Sequence, residues 1–169
     1  MWLALEILLR LDLGLLGLTY AGYPMMLGVL SRLCPRPIRS EDRDPGPVSF
    51  VISLCNEEAV LEEKIANTLA LAGAPPLIFL ANDGSTDGTE AACDQAAESY
   101  PGRIHHVRTE RGGKNRALNR VLQDIPEGIV VFSDANAMYA EDALLRLRES
   151  FMDPQVGCVV GRLRYHDGG

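Results

Sequence analysis

Ile129-Val-Val-Phe-Ser-Asp-Ala-Asn-Ala-Met-Tyr139 is the stretch whose reading decides the fold. Four apolar residues and a serine run straight into Asp134-Ala-Asn136, after which a helical pattern begins. A short apolar run ending in a carboxylate and an amide reads as a buried strand that delivers polar groups to its carboxyl end. In open α/β sheets that edge is where ligands bind. Asp and Asn also shape turns into helices, so this stretch alone leaves a ligand site and a turn as equal readings.

The same punctuation recurs upstream. Val48-Ser-Phe-Val-Ile-Ser-Leu54 is β-branched and aromatic, a strand by composition. Asn56 is placed to cap the next helix, whose apolar stripe is Val60, Leu61, Ile65, Leu69 and Ala72, with Gly73 and Pro75 as its stop. Leu77–Ala81 is a second strand running into Asn82-Asp-Gly-Ser-Thr-Asp-Gly88. There Asp87 and Glu90 have capping-box spacing for a helix to Tyr100. Ile104–Arg108 is a third strand. The loop Thr109-Glu-Arg-Gly-Gly-Lys-Asn-Arg116 leads from it into a helix bearing Ala117, Leu118, Val121 and Leu122. Downstream of Tyr139, residues 140–152 read as a helix and Val156–Leu163 as a fifth strand.

Strand and helix thus alternate at about 25-residue intervals, which predicts a Rossmann-like, mainly parallel sheet with helices on both faces. The loops at Cys55-Asn56-Glu57, at Asn82-Asp83-Gly84 and at Asp134-Ala135-Asn136 would then share one sheet edge, with Lys114 within reach. Three strand ends carrying carboxylates or amides exceed what turns require, and the balance moves to a ligand site.

The chain has 169 residues and a formal net charge of −7, which argues against non-specific nucleic-acid binding. Its four cysteines lack CxxC spacing, so reduced thiols in a cytosolic compartment are expected. From Leu13 to Leu30 there are 18 residues without a charge, long enough to span about 27 Å as a helix. No Lys or Arg precedes Glu6 and no Ala-x-Ala follows, unlike a signal peptide. Residues 1–33 are therefore expected to form one transmembrane anchor. Arg32, Arg36 and Arg39 place its far end on the cytoplasmic side of a cell (inner) membrane. Residues 34–47 read as a Pro-rich charged linker, and residues 48–169 as the globular domain.

Carboxylates with one lysine and loop amides suit a phosphorylated nucleotide: the acids can hold ribose hydroxyls, base N–H groups and a metal, and the lysine offsets phosphate charge. Neither GxGxxG after the first strand nor GxxxxGK[ST] occurs, nor a Gly-x-Ser-x-Gly elbow. His105, His106 and His166 lack metal-ligand spacing and read as strand and loop residues.

Four segments in order resemble family 2 glycosyltransferases, inverting enzymes of the GT-A nucleotide-diphospho-sugar fold that include cellulose, chitin and hyaluronan synthases. They are 48–58, Asn82–Thr89, Gly113-Lys-Asn-Arg-Ala-Leu-Asn119 and Phe132–Tyr139, and the likeness covers about residues 48 to 165. The resemblance implies a UDP-sugar donor site made of Cys55, Asn56, Glu57, Asp83, Gly84, Lys114, Asp134, Ala135 and Asn136. Glu57 would lie near base and ribose, Asp83 would read uracil, Lys114 would sit by the phosphates, and Asp134 would face ribose and metal. Cys55 stands where the family has a tyrosine beside the base, Asn82 replaces an acid, and Asn136 replaces the second acid of Asp-x-Asp. Asp134 and Asn136 would share Mg²⁺ or Mn²⁺, with less charge than the family pattern offers. The family's Thr-Glu-Asp and Gln-x-x-Arg-Trp motifs do not occur. The resemblance therefore implies a donor-binding half, inactive alone, with the catalytic base beyond Gly169. The expected reaction is sugar transfer with inversion onto a saccharide in polysaccharide or cell-envelope glycan synthesis. Two readings stay open beside it: transfer to a polyprenyl phosphate, and a non-catalytic nucleotide-sugar binder.

Overall fold

A computed structural model of the chain describes residues 2–35, 44–73 and 76–164. It divides into two units, Met1–Arg39 and Ser40–Gly169. In the second, the strands are β1 (Val48–Leu54), β2 (Leu77–Asp83), β3 (Ile104–Thr109) and β4 (Ile129–Asp134). Every pairing is parallel, in the order β3-β2-β1-β4. This is the parallel α/β sheet that the alternation predicts. Three helices connect the strands: α3 (Glu58–Leu69), α4 (Thr89–Ser99) and α5 (Lys114–Val121); α6 (Ala143–Ser150) follows β4.

β1 is central, and its side chains alternate between two covered faces. Val48, Phe50, Ile52 and Leu54 pack with Leu61 and Ile65 of α3, Cys93 of α4 and Leu144 of α6. Val51 joins Phe79, Ala81, Ala117 and Val121 on the α5 side. His105 stacks on Phe79 at 5.0 Å between ring centroids, and His106 Nδ1 lies 2.8 Å from Asp94 Oδ1. Both therefore serve as strand residues of β3, as their spacing indicates.

The N-terminal unit corrects one expectation. The uncharged run does not form a single unbroken α-helix: α1 (Trp2–Gly17) and α2 (Tyr23–Leu33) are separated by a π-helical turn over Leu18–Gly22. The Tyr23 N–H donates to Leu18 O, five residues back. Pro24 explains the change of pitch, since it has no N–H to donate and its ring crowds the preceding turn. No described helix is long and apolar enough to cross a membrane. α1 carries Glu6, Arg10 and Asp12, and α2 has 11 residues. Glu6 and Arg10, four apart on α1, form an ion pair at 2.5 Å.

The fifth strand also needs correcting. Residues 156–163 have no strand pairing, and Val160 is 87% exposed. Strand propensity is realised only against a partner, and β4, the nearest edge, pairs only with β1 among the described residues. The helix expected over 140–152 is shorter, with Asp142 as its N-cap residue. Residues 36–43 of the expected linker, with Arg36 and Arg39 of the basic flank, lie outside the described residues, as do Pro75 and His166.

Candidate donor site

The chain runs from β1 outward through β2 to β3, then returns to place β4 on the other side of β1. The order reverses between β1 and β4, and a crevice opens beyond their carboxyl ends at such a switch point. A cleft of about 240 Å³ lies there, lined by Ser53, Leu54, Cys55, Glu57, Ala81, Asp83, Lys114, Ala117, Asp134 and Asn136. Six of the nine residues expected at the site therefore share one cavity: Cys55, Glu57, Asp83, Lys114, Asp134 and Asn136.

Asp134 ends β4, in register with Ser53 of β1. Its Oδ1 accepts from Ser53 Oγ at 3.2 Å and from the Lys114 ammonium. The hydrogen bond from Lys114 is the main reason its carboxyl is held below the usual carboxylate range; Ser53 and the charge of Lys64 act in the same direction. Asp134 and Lys114 are 57% and 55% exposed, so the pair meets at the mouth of the cleft rather than in the core. The turn after Asp134 is closed by backbone, Ala137 N–H to Asp134 O at 3.2 Å. The side chain is thus directed into the cleft and does not serve the turn.

Asp83, nearly buried, has a second task. Its carboxylate accepts from Gly112 N–H at 2.8 Å and from Gly113 N–H at 2.9 Å. This fixes the loop that carries Lys114 into α5. Gly113 has φ +91°, in the region that favours glycine. A carboxylate has about four acceptor positions, so two amides leave room for another donor. Asn82 is buried and braces the loop, its Oδ1 accepting from Ser85 N–H and Oγ at 3.2 and 2.6 Å.

Three expected residues support the cavity without lining it. Asn56 has φ +59°, which asparagine tolerates; its Oδ1 accepts from Thr86 N–H at 2.8 Å, and its own N–H donates to Ser85 Oγ. It joins the β1 and β2 loops in place of capping α3. Gly84, at φ +57°, passes so close to Arg111 that a Cβ would stand 2.6 Å from its backbone nitrogen. Ala135 is buried in the core. The Asp87–Glu90 capping box does not close; Asp87 Oδ1 accepts instead from Thr89 N–H at 3.0 Å, and its other oxygen turns to α3. Asp87 Oδ2 accepts from Glu58 N–H at 3.4 Å, and Glu58 Oε2 accepts from Gly88 N–H at 2.9 Å. The starts of α3 and α4 are thus joined through Glu58 and Asp87.

Ser53 also lines the cleft, and Lys64, Asn67 and Tyr139 stand behind the β4 loop; none of the four is among the residues expected at the site. Lys64 sits on the apolar stripe of α3 between Leu61 and Ile65, fully buried. Burial pulls its ammonium down to about 8, against the charge of Asp134, which pushes it up. A lysine in step with an apolar stripe is the sequence signal that could have marked it.

Among the described residues no cluster of three or more His, Cys, Asp or Glu side chains is arranged for a metal. Asp134 and Asn136 offer two hard oxygen donors at an open cleft. That fits a Mg²⁺-type ion, which takes few protein ligands and completes its shell with phosphate oxygens and water.

The family model described as "Glycosyl transferase family 2" matches residues 49–169. The chain belongs to this family. A poly-beta-1,6-N-acetyl-D-glucosamine synthase of Staphylococcus aureus is 30% identical over 118 residues, 69% of this chain and 28% of that protein. A beta-monoglucosyldiacylglycerol synthase of Synechocystis is 33% identical over 117 residues, 66% of this chain and 24% of that one. The chain thus spans less than a third of the length of these relatives. Among solved structures, the mannosyltransferase PcManGT of Pyrobaculum calidifontis, in complex with GDP-Man and Mn²⁺, superposes with TM-score 0.69 at 29% identity, covering 84% of this chain and 44% of that one. S. aureus TarS, at TM-score 0.51 and 17% identity, shares the fold. As a family 2 member, the chain has the GT-A type of parallel α/β sheet with flanking helices.

Proposed function

We propose that residues 48–169 bind a nucleoside-diphospho-sugar, with uracil as the base, for transfer of the sugar with inversion to a saccharide acceptor. The observation that carries this is one cleft at the β1/β4 switch point. It collects Glu57, Asp83, Lys114, Asp134 and Asn136 from four separate places in the chain. In this reading Glu57 and Asp83 would contact base and ribose, and Lys114 the diphosphate. Asp134 and Asn136 are the pair that would hold Mg²⁺ or Mn²⁺, whose charge would offset that of the departing diphosphate. Lys114 now neutralises Asp134, so an arriving diphosphate and cation would part this pair and take one partner each.

Thermal melting tests the reading directly. UDP at about 100 times its Kd should stabilise the domain by about 2.7 kcal/mol in Mn²⁺, a rise of several degrees in Tm, and chelation should remove most of it. GDP is the comparison, because PcManGT is a GDP-Man complex. A larger rise with GDP would replace uracil by guanine; no rise with either would overturn the donor site.

The acceptor admits a second reading. One relative is named for a glycolipid, and α1, the π turn and α2 bury no residue while exposing many leucines. These support placing the unit 1–39 against a lipid surface, on the cytoplasmic side of the cell membrane, with a lipid-linked acceptor such as a polyprenyl phosphate as the alternative. Co-flotation of the full chain with anionic liposomes, lost on deleting residues 1–33, is the expected result. Equal flotation of the deletion variant would sink it.

A further inference from the structure

We infer that Lys64 and Asn67 of α3 are positioning residues, which clamp Ala137 and Tyr139 so that Asp134 and Asn136 are presented to the cleft in a fixed relation. This rests on the donor-site reading above. Lys64 is 0% exposed, and its ammonium donates to the carbonyl of Ala137, the residue after Asn136. The same ammonium stands 4.3 Å from the centre of the Tyr139 ring. A buried cation needs such partners. An apolar side chain would fill the space beneath α3 without that demand. What lysine adds is a directed hold on one point of the loop.

One turn further along α3, Asn67 binds both backbone groups of Tyr139. Its Nδ2 donates to Tyr139 O at 2.9 Å, and its Oδ1 accepts from Tyr139 N–H at 2.8 Å. The Tyr139 ring then meets Phe50 edge-on at 5.6 Å. The segment is therefore fastened at both ends: at Asp134 by Ser53 and Lys114, and at 137–139 by Lys64 and Asn67. Asn136 lies between the two fastenings, exposed at the cleft.

Charge and position predict opposite results, which makes the role testable. If Lys64 acted only through its charge, removing it would lessen repulsion of a cation near Asp134 and tighten metal-dependent binding. If it acts by position, removing it loosens the loop and weakens that binding. The test uses the full chain with Lys64→Met, which keeps the apolar stem, and Asn67→Ala, at a half-buried position where the fold survives more readily. In Lys64→Met, affinity for UDP (or GDP, if GDP protects wild type) should fall by about tenfold or more in Mn²⁺ and change little without metal. Asn67→Ala should move the same way by less.

Hydrogen exchange read by mass spectrometry should show the peptide over 134–140 opening faster in both variants, with β1 and β2 unchanged. A merely structural role would lower Tm and leave the ratio of affinities with and without metal untouched. Unchanged exchange over 134–140, or tighter binding in Mn²⁺, overturns the clamp. If wild type binds neither nucleotide, the donor-site reading fails and exchange alone decides the clamp.

Discussion

Asp134→Ala should abolish the nucleotide- and metal-dependent rise in Tm while leaving the unliganded Tm nearly where it was. Both halves follow from the geometry. Asp134 is 57% exposed and its partner Lys114 55%, and ion pairs that open to water contribute about 0–1 kcal/mol. Its second bond, from Ser53 Oγ, is 3.2 Å long and also exposed. The fold therefore has little to lose. The site has much to lose, because Asp134 is the one carboxylate at the end of β4 and its neighbour Asn136 brings no charge. For wild type at about 100 Kd the liganded gain is about 2.7 kcal/mol, and the whole of it should vanish. Asp134→Asn keeps an oxygen donor and should retain a fraction of the rise. A full rise in Asp134→Ala would remove this residue from the site.

Asp83→Ala should behave in the opposite way and damage the fold first. Its carboxylate is nearly buried and takes the N–H groups of Gly112 and Gly113. Hydrogen bonds to a charged acceptor contribute about 1.5–3 kcal/mol each, and the lower figure applies here because Gly112 and Gly113 are exposed. A loss of about 3 kcal/mol in guanidinium unfolding is expected on that basis, with an unchanged m-value. Nucleotide binding should go with it, because the loop that Asp83 holds delivers Lys114. Asp83→Asn keeps one acceptor oxygen but turns an amide N–H₂ toward the glycines, so its loss should be smaller. An Asp83→Ala variant within about 1 kcal/mol of wild type would show that these amides find water instead.

The contrast separates what could be read in the chain from what could not. Residues 129–139 announced both a strand and its polar end, because apolar runs and their terminal Asp or Asn are local patterns. The same holds for β1 and β2 and for the cleft residues at their ends. What stayed hidden depends on partners distant in sequence. Val156–Leu163 has the composition of a strand, yet it does not pair with the free edge of β4, and composition alone cannot say whether it would. The starts of α3 and α4 are joined through Glu58 and Asp87, beyond the local bond from Thr89 N–H to Asp87, and no single-helix signature describes that join. Pro24 interrupts a run whose length alone suggested one helix. Lys64 and Asn67 reach residues 73 and 72 positions away, across a loop that carries no record of them. Asp83 was legible as a site residue, but its hold on the 112–113 amides was not, because both partners sit in turns.

The strand order also decides which stretch of chain completes the cleft. β1, β2 and β3 can assemble from residues 48–109, each pairing with a strand already made. The cleft cannot, because its wall is closed only when β4 docks on β1, bringing Asp134 beside Ser53 across 81 residues of chain. Native contacts so distant in sequence raise the contact order of the fold and slow its formation. The cleft is thus complete only once β4 has docked on β1. Undocking β4 would open that cleft, so a ligand held across it would act as a latch on the β1–β4 pairing.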